Sequence, residues 1–164
     1  MIKYPNILSK VDLKMVIREA TVLDVDEIVN LINFHASKGL MLPKTPYKIF
    51  STIQNFFVAE IDKKVIGCSA LSVIWKDLCE ICSLAVDEKY KYKGVGRMLV
   101  EKSIEKAKKL KIKQVIALTY QDKFFEKMGF YRVDKDQFPR KLWRECLECP
   151  KLEECDEMAY LYKF

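Results

Sequence analysis

The segment that most limits how this chain can fold runs from Cys79 to Lys111, CEICSLAVDEKYKYKGVGRMLVEKSIEKAKKLK. It opens as an apolar run of strand length and passes through the turn KYKGVG. It continues as a helix whose apolar positions Val95, Leu99, Val100, Ile104, Ala107 and Leu110 form one stripe. Gly94 and Gly96 stand where strand hands over to helix. The first amides of a helix have no partner within it, and glycine leaves them uncovered, so the junction is an anion cradle. Lys89, Lys91, Lys93 and Arg97 add positive side chains to the helix dipole, and a diphosphate is the expected guest. The dinucleotide fingerprint GxGxxG fails here, because Arg97, Met98 and Leu99 follow Gly96, and no GKS or GKT is present for a P-loop.

The remaining segments supply a sheet for this unit. Residues 1–14 have no clean period and read as an N-terminal extension ahead of a domain over 15–164. MVIREAT is a strand, and VLDVDEIVNLINFHA a helix with Val25, Ile28, Val29 and Ile32 on one face and Asp24 and Asp26 near its start. Gly39, Pro43 and Pro46 break the next stretch into a loop and a short helix. FFVAEIDKKVIGCSALSVIWKDLCEICSLAV is three strand-like runs parted by DKK and KD, the first two a tight antiparallel hairpin. After the long helix come the buried strand KQVIALT, a short helix QDKFFEKMGF ended by Gly129, the strand YRV, and a closing strand MAYLYKF. The order predicts an α/β fold, a mixed, partly parallel central sheet flanked by helices.

Composition excludes several function classes. A chain of 164 residues with 50% hydrophobic and 32% charged residues is one globular domain, with no secretory signal and no apolar run long enough for a transmembrane helix, so the expectation is cytoplasmic and without a membrane partner. The net charge of +6 is spread along the chain with no basic run interleaved with aromatics, which argues against nucleic acid and suits a polyanionic cofactor.

KYKGVG resembles the pyrophosphate-binding motif of the GCN5-related N-acetyltransferases (GNAT), in which Gln or Arg is followed after two residues by Gly and then by Gly or Ala. Lys91, Gly94 and Gly96 hold those places, with lysine keeping the cation but not the forked geometry of arginine. CSLAV and FFEKMGF resemble the family in order and spacing. Within it, GLMLPK, VIGCSALSVIWKDLCEICSLAV, FYRVDKDQFPRKLW and ECLECPKLEECDEMA are most similar to the short, single-domain form of N-acetylglutamate synthase, over roughly residues 15–164. The resemblance implies a GNAT fold and an acetyl-CoA-dependent N-acetyltransferase acting on the α-amine of an amino acid, glutamate first, at the head of arginine biosynthesis. The implied partners are acetyl-CoA and a small amine acceptor, and a homodimer is the candidate assembly.

It also implies roles for particular residues. Lys91, Tyr92, Lys93, Gly94, Val95, Gly96 and Arg97 would hold the diphosphate. The backbone of Leu84, Ala85 and Val86 would pair with the pantetheine arm and polarise the thioester. Glu80 stands where related enzymes place a general base, and the alternative for it is an ordinary strand glutamate. Phe125 occupies the position of a frequent general-acid tyrosine, so it would line the cofactor without a proton to give. A thiol of pKa about 8.5 leaves tolerably as its anion, which lessens the need for that acid; Tyr120 or a C-terminal tyrosine is a further candidate for it. A dicarboxylate acceptor needs cations, and Lys44 is the first candidate, with Arg18, Arg140 and Arg144 behind it.

Two features sit outside this scheme. His35, the only histidine, reads as a helix-end capping or solvent-facing residue in preference to a base. Cys146, Cys149 and Cys155, in a Cys-rich loop over 139–157, read first as buried free thiols or a redox pair, with a three-thiolate site for zinc or an iron–sulfur cluster as the alternative. Cys79 and Cys82 should point to opposite faces of a strand. Two other functions stay open: a GNAT enzyme for another amine, such as a polyamine, aminoglycoside or protein N-terminus, and a non-catalytic acyl-CoA-binding or metal-sensing module.

Overall fold

The computed structural model describes residues 14–138, 149 and 155–164. Most of the expected N-terminal extension lies outside these residues, as do Arg140, Arg144 and Cys146.

The chain forms β1 (Val16–Glu19), α1 (Val25–Ser37), α2 (Pro46–Ser51), β2 (Phe56–Ile61), β3 (Lys64–Trp75), β4 (Leu78–Val86), α3 (Val95–Lys109), β5 (Gln114–Thr119), α4 (Asp122–Lys127), β6 (Tyr131–Val133) and β7 (Met158–Lys163). The strands make one sheet in the order β1-β2-β3-β4-β5-β7-β6. The first four strands are antiparallel, β1 reaching β2 through α1 and α2 and β2, β3 and β4 following by hairpins, whereas α3 carries the chain back over the sheet and makes β4 and β5 parallel. β7 enters between β5 and β6, antiparallel to both.

The apolar runs are continuous because the central strands are covered on both faces. In β2, Phe56 and Val58 pack with Val25, Ile28 and Ile32 of α1 and Ile49 of α2, while Phe57, Ala59 and Ile61 pack with Val95 and Leu99 of α3. The α3 stripe is buried through Ala107, but the helix ends at Lys109 and Leu110 is exposed. Ser103 lies on the same buried face, where its hydroxyl meets Leu99 O at 3.1 Å and Ser69 Oγ at 3.2 Å, so the polar group is satisfied. Gly67 lets α3 sit close to the sheet: a Cβ there would lie 3.0 Å from Val95 Cγ1 and 3.1 Å from Leu99 Cδ1. That contact sets where α3 begins, and so where the cradle lies.

Candidate active site

β4 has two unlike halves. Its first residues pair on both sides, with β3 throughout and with β5 at Leu78–Gln114, Cys79–Val115 and Glu80–Ile116. Beyond Glu80 the pairing with β5 ends, while β5 stays paired to β7 as far as Thr119. The strands therefore splay, and among the described residues no strand pairs with the β5-facing edge of residues 81–86. On the other edge, Ser83 and Leu84 face the single residue Ser69 in a bulge between the pairs Cys68–Ala85 and Ala70–Cys82. Ser83 has φ +53°, and its carbonyl accepts from the Cys68 thiol at 3.5 Å. Burial pushes the Cys68 thiol up to about 12, so it keeps the proton it donates.

The cradle closes the open end of this seam. After β4 the chain makes a short helical turn at Glu88–Tyr90, passes Tyr92 at φ +60° and reaches Gly94 at φ +83°. The left-handed conformation is what glycine supplies at low cost. No side chain caps α3, and its first helical bond is Met98 N to Gly94 O at 3.0 Å, so the amides of Val95, Gly96 and Arg97 have no helical acceptor. A Cβ on Gly94 would meet nothing within 4 Å, so the turn is open at that position. Lys89, Lys91, Tyr92, Lys93 and Arg97 are all exposed around it. Val95 contributes only its backbone, because its side chain is core.

Phe125 is not placed as expected. It is 4% exposed and packs edge-on against Phe124 and Phe130 in the core beneath α3. Its neighbour Phe124 is the ring that approaches the cradle, at 3.5 Å from where a Gly96 Cβ would lie. Helical rotation of a single residue separates the two, and the FF pair gave no means of choosing between them.

Alternation along β4 puts Leu78, Glu80 and Cys82 on the α1 side and Cys79 and Ile81 on the α3 side. Cys79 and Cys82 therefore do point to opposite faces. On the α1 side a cavity of about 190 Å³ is lined by Lys44 and Lys48, by Ser51, Thr52 and Asn55, and by Ser72, Cys82 and Ser83 among others. Glu80 lies opposite Ser72 in the ladder and shares the face of Cys82. The lysines arrive on the loop before α2 and on α2 itself, and Asn33 holds that loop by accepting from Lys44 N at 2.9 Å and donating to Lys44 O at 3.0 Å. Lys48 was not singled out in the sequence. Its signal is the i, i+4 spacing to Lys44 across the N-cap of a short helix.

Arg18 is a correction. Its guanidinium donates to both oxygens of Asp24 at 2.8 Å and to Glu60 at 3.0 Å through Nε. Two carboxylates thus already hold it beside β1, where it anchors the start of α1, and it does not line the cavity. Asp24 in turn is 5% exposed and accepts from Thr21 N in a capping box, and the Arg18 bond holds its carboxyl below the usual range. Tyr120, at the end of β5, donates to Asp156 at 2.7 Å, a bond that raises the phenol well above its ordinary value. Among the described residues no group of three His, Cys, Asp or Glu side chains is placed to hold a metal; Cys149 and Cys155 are free thiols, and their expected third partner Cys146 is outside that set. A larger groove of about 900 Å³ runs along β6 and β7, at the far edge of the sheet from Glu80 and the cradle.

A family model described as Acetyltransferase (GNAT) family matches residues 27–130, from α1 through the cradle to Phe130. The chain belongs to the GNAT acetyltransferases. An uncharacterized N-acetyltransferase of Chlorobaculum tepidum is 39% identical over 87% of this chain and 92% of its own. An amino-acid acetyltransferase of Mycobacterium tuberculosis is 35% identical over 75% of this chain and 72% of its own. Among solved structures, a Mycobacterium tuberculosis protein in complex with CoA superposes with a TM-score of 0.79 at 28% identity, covering 91% of this chain and 99% of that one. N-acetylglutamate synthase of Neisseria gonorrhoeae, complexed with coenzyme A and N-acetyl-glutamate, shares the fold with a TM-score of 0.82 at 24% identity, with 92% of this chain matching 35% of that one. The GNAT chain is thus an acyltransferase of mixed α/β fold that uses acetyl-CoA as co-substrate. None of the helices in the described residues is long and apolar enough to cross a membrane.

Proposed function

We propose that this acetyltransferase acetylates the α-amine of a small dicarboxylic amino acid, L-glutamate first. The observation that carries the reading is the cavity beside β4, where Lys44 and Lys48 line one wall and Ser72, Cys82 and Ser83 the other. Two ammonium groups suit two carboxylates and oppose a polyamine or aminoglycoside. At about 190 Å³ the cavity is also smaller than ordinary drug-sized pockets, which span about 300–1,000 Å³. The naming of the Mycobacterium tuberculosis relative as an amino-acid acetyltransferase supports the same class.

In this reading the diphosphate of acetyl-CoA rests on the amides of Val95, Gly96 and Arg97 among the lysines of the turn, and the pantetheine arm lies in the seam along residues 84–86. The acceptor enters from the α1 side. Its α-ammonium passes a proton to Glu80, directly or through a water, and the neutral amine attacks the thioester carbon. A C–N bond forms as the C–S bond breaks, negative charge on the carbonyl oxygen is met by backbone amides, the nitrogen gives its second proton to solvent, and CoA leaves as a thiolate that solvent protonates. No cysteine nucleophile is required: the Cys68 and Cys79 thiols are both buried and raised to about 12.

The test is CoA release from acetyl-CoA with glutamate, glutamine, aspartate, other amino acids and spermidine. Selective turnover of glutamate is expected. Turnover of spermidine with none of glutamate would overturn the acceptor assignment, and no turnover with any amine would favour a cofactor-binding module.

A further inference from the structure

His35 is the only histidine, and it is 8% exposed in the last turn of α1. Its Nε2 lies 2.8 Å from the carbonyl oxygen of Val86, 51 residues away, at the last position of β4. A carbonyl only accepts, so Nε2 carries a hydrogen and donates it. The ring is held in place by an edge contact with Phe34, at 5.5 Å between centroids. One turn on, Lys38 pairs with Glu88 and lies over the Phe34 ring at 4.4 Å, so α1 grips the chain on both sides of Asp87.

The direction of the Val86 carbonyl gives the bond its meaning. Val86 faces Gly67 in the ladder, and the neighbouring bond runs from Asp87 N to Ile66 O at 2.8 Å. A pair flanked by its neighbours' bonds in this way turns its own N–H and C=O outward, away from β3. Val86 also adjoins the cradle, its Cγ2 lying 3.9 Å from where a Gly96 Cβ would be. Without His35, an outward carbonyl would present negative charge at the mouth of a site otherwise built of amides and lysines. A diphosphate offers acceptors only, and an uncovered carbonyl beside it is repulsive.

We propose that His35 is a positioning residue for acetyl-CoA: by donating to Val86 O it masks that carbonyl and fixes the exit of β4, so that no bare Val86 carbonyl faces the diphosphate at the mouth of the cradle. This rests on the placement of the cofactor along residues 84–97. The acceptor loop is held separately, by Asn33 through Lys44, so the two sites have different ties to one helix.

Calorimetric titration of CoA, without acceptor, into folded wild-type protein and variants tests it. His35→Leu is expected to weaken CoA about tenfold, the equivalent of one net hydrogen bond, while the acceptor KM changes less than about twofold. His35→Gln, whose amide nitrogen can reach the Nε2 position, is expected to restore affinity to within about threefold. If His35→Leu does not fold, His35→Asn, polar but too short, takes its place with the same expected loss. Wild-type affinity in the Leu or Asn variant, or equal loss in the Gln variant, would overturn the inference. Gly94→Glu in the same titration separates the two readings: its binding CoA normally would sink the cofactor placement itself, whereas its loss beside an unaffected His35→Leu would sink only the role of His35.

Discussion

The two halves of β4 differ in what their edges do. Leu78, Cys79 and Glu80 are paired on both sides, and their neighbours Val115 and Ile116 are fully buried. Residues 81–86 keep β3 but lose β5, and the bulge at Ser83 and Leu84 alters the face each later residue presents. One half is held in the sheet on both edges and the other by β3 alone, within a single nine-residue strand. Backbone groups buried without partners are costly, so an open edge in the centre of a sheet is sustained only where water or a ligand completes it. Glu80 stands at the border, at the last pair of the closed half and on the cavity side.

The largest expected effect breaks the open half alone. Gly94→Glu puts a carboxylate before the cradle amides and should lower CoA affinity by more than about a hundredfold. The left-handed backbone at φ +83° would cost about 1–2 kcal/mol in stability, so circular dichroism should still show a folded chain. Its mirror is Ile116→Ala on β5, paired to the closed half at Glu80, where removal of a fully buried side chain should cost about 2–5 kcal/mol in denaturant titration. CoA affinity measured on the folded fraction should stay unchanged, and a parallel loss would mean that the halves are not separable.

At the border, Glu80→Gln should lower kcat about a hundredfold at neutral pH and leave CoA affinity nearly intact. The deficit should shrink as pH rises and the acceptor amine loses its proton unaided, and a pH-independent deficit would remove Glu80 from proton transfer. A smaller effect is expected on the acceptor side. Lys44→Ala and Lys48→Ala should each raise the glutamate KM about tenfold with CoA affinity unchanged. The smallest concerns β1, remote from both halves. The Asp24 carboxyl is held low by Arg18, so its contribution is full above the ordinary carboxylate pKa of about 3.9 and fades as pH falls through the depressed value. Arg18→Ala should flatten that part of the acid-unfolding curve without altering kcat.

Much of this was legible beforehand for identifiable reasons. The order of strands and helices followed from apolar period and from turn residues, and the cradle from two glycines at a strand-to-helix junction among lysines. The misplacements share one cause. Arg18 reads as a cation in the sequence, but its partner Glu60 lies 42 residues away and pairs with it only because β1 and β2 are adjacent. Phe125 and Phe124 are one residue apart, and packing against Phe130 decided which is core. His35 reads in the sequence as a helix-end cap or a solvent-facing residue, but its acceptor is on β4 instead of its own helix.

The mixed α/β class, the element order and the glycine turn before α3 are legible from the letters alone, because each depends on residues close together in the chain: periodicity, glycine conformations, helix-start amides. Where β4 and β5 part, which lysines line the cavity on the Glu80 face of β4, and what His35 and Arg18 hold emerge only in the folded chain. These depend on strand register and on helix docking across tens of residues, and they are set by burial of the whole core.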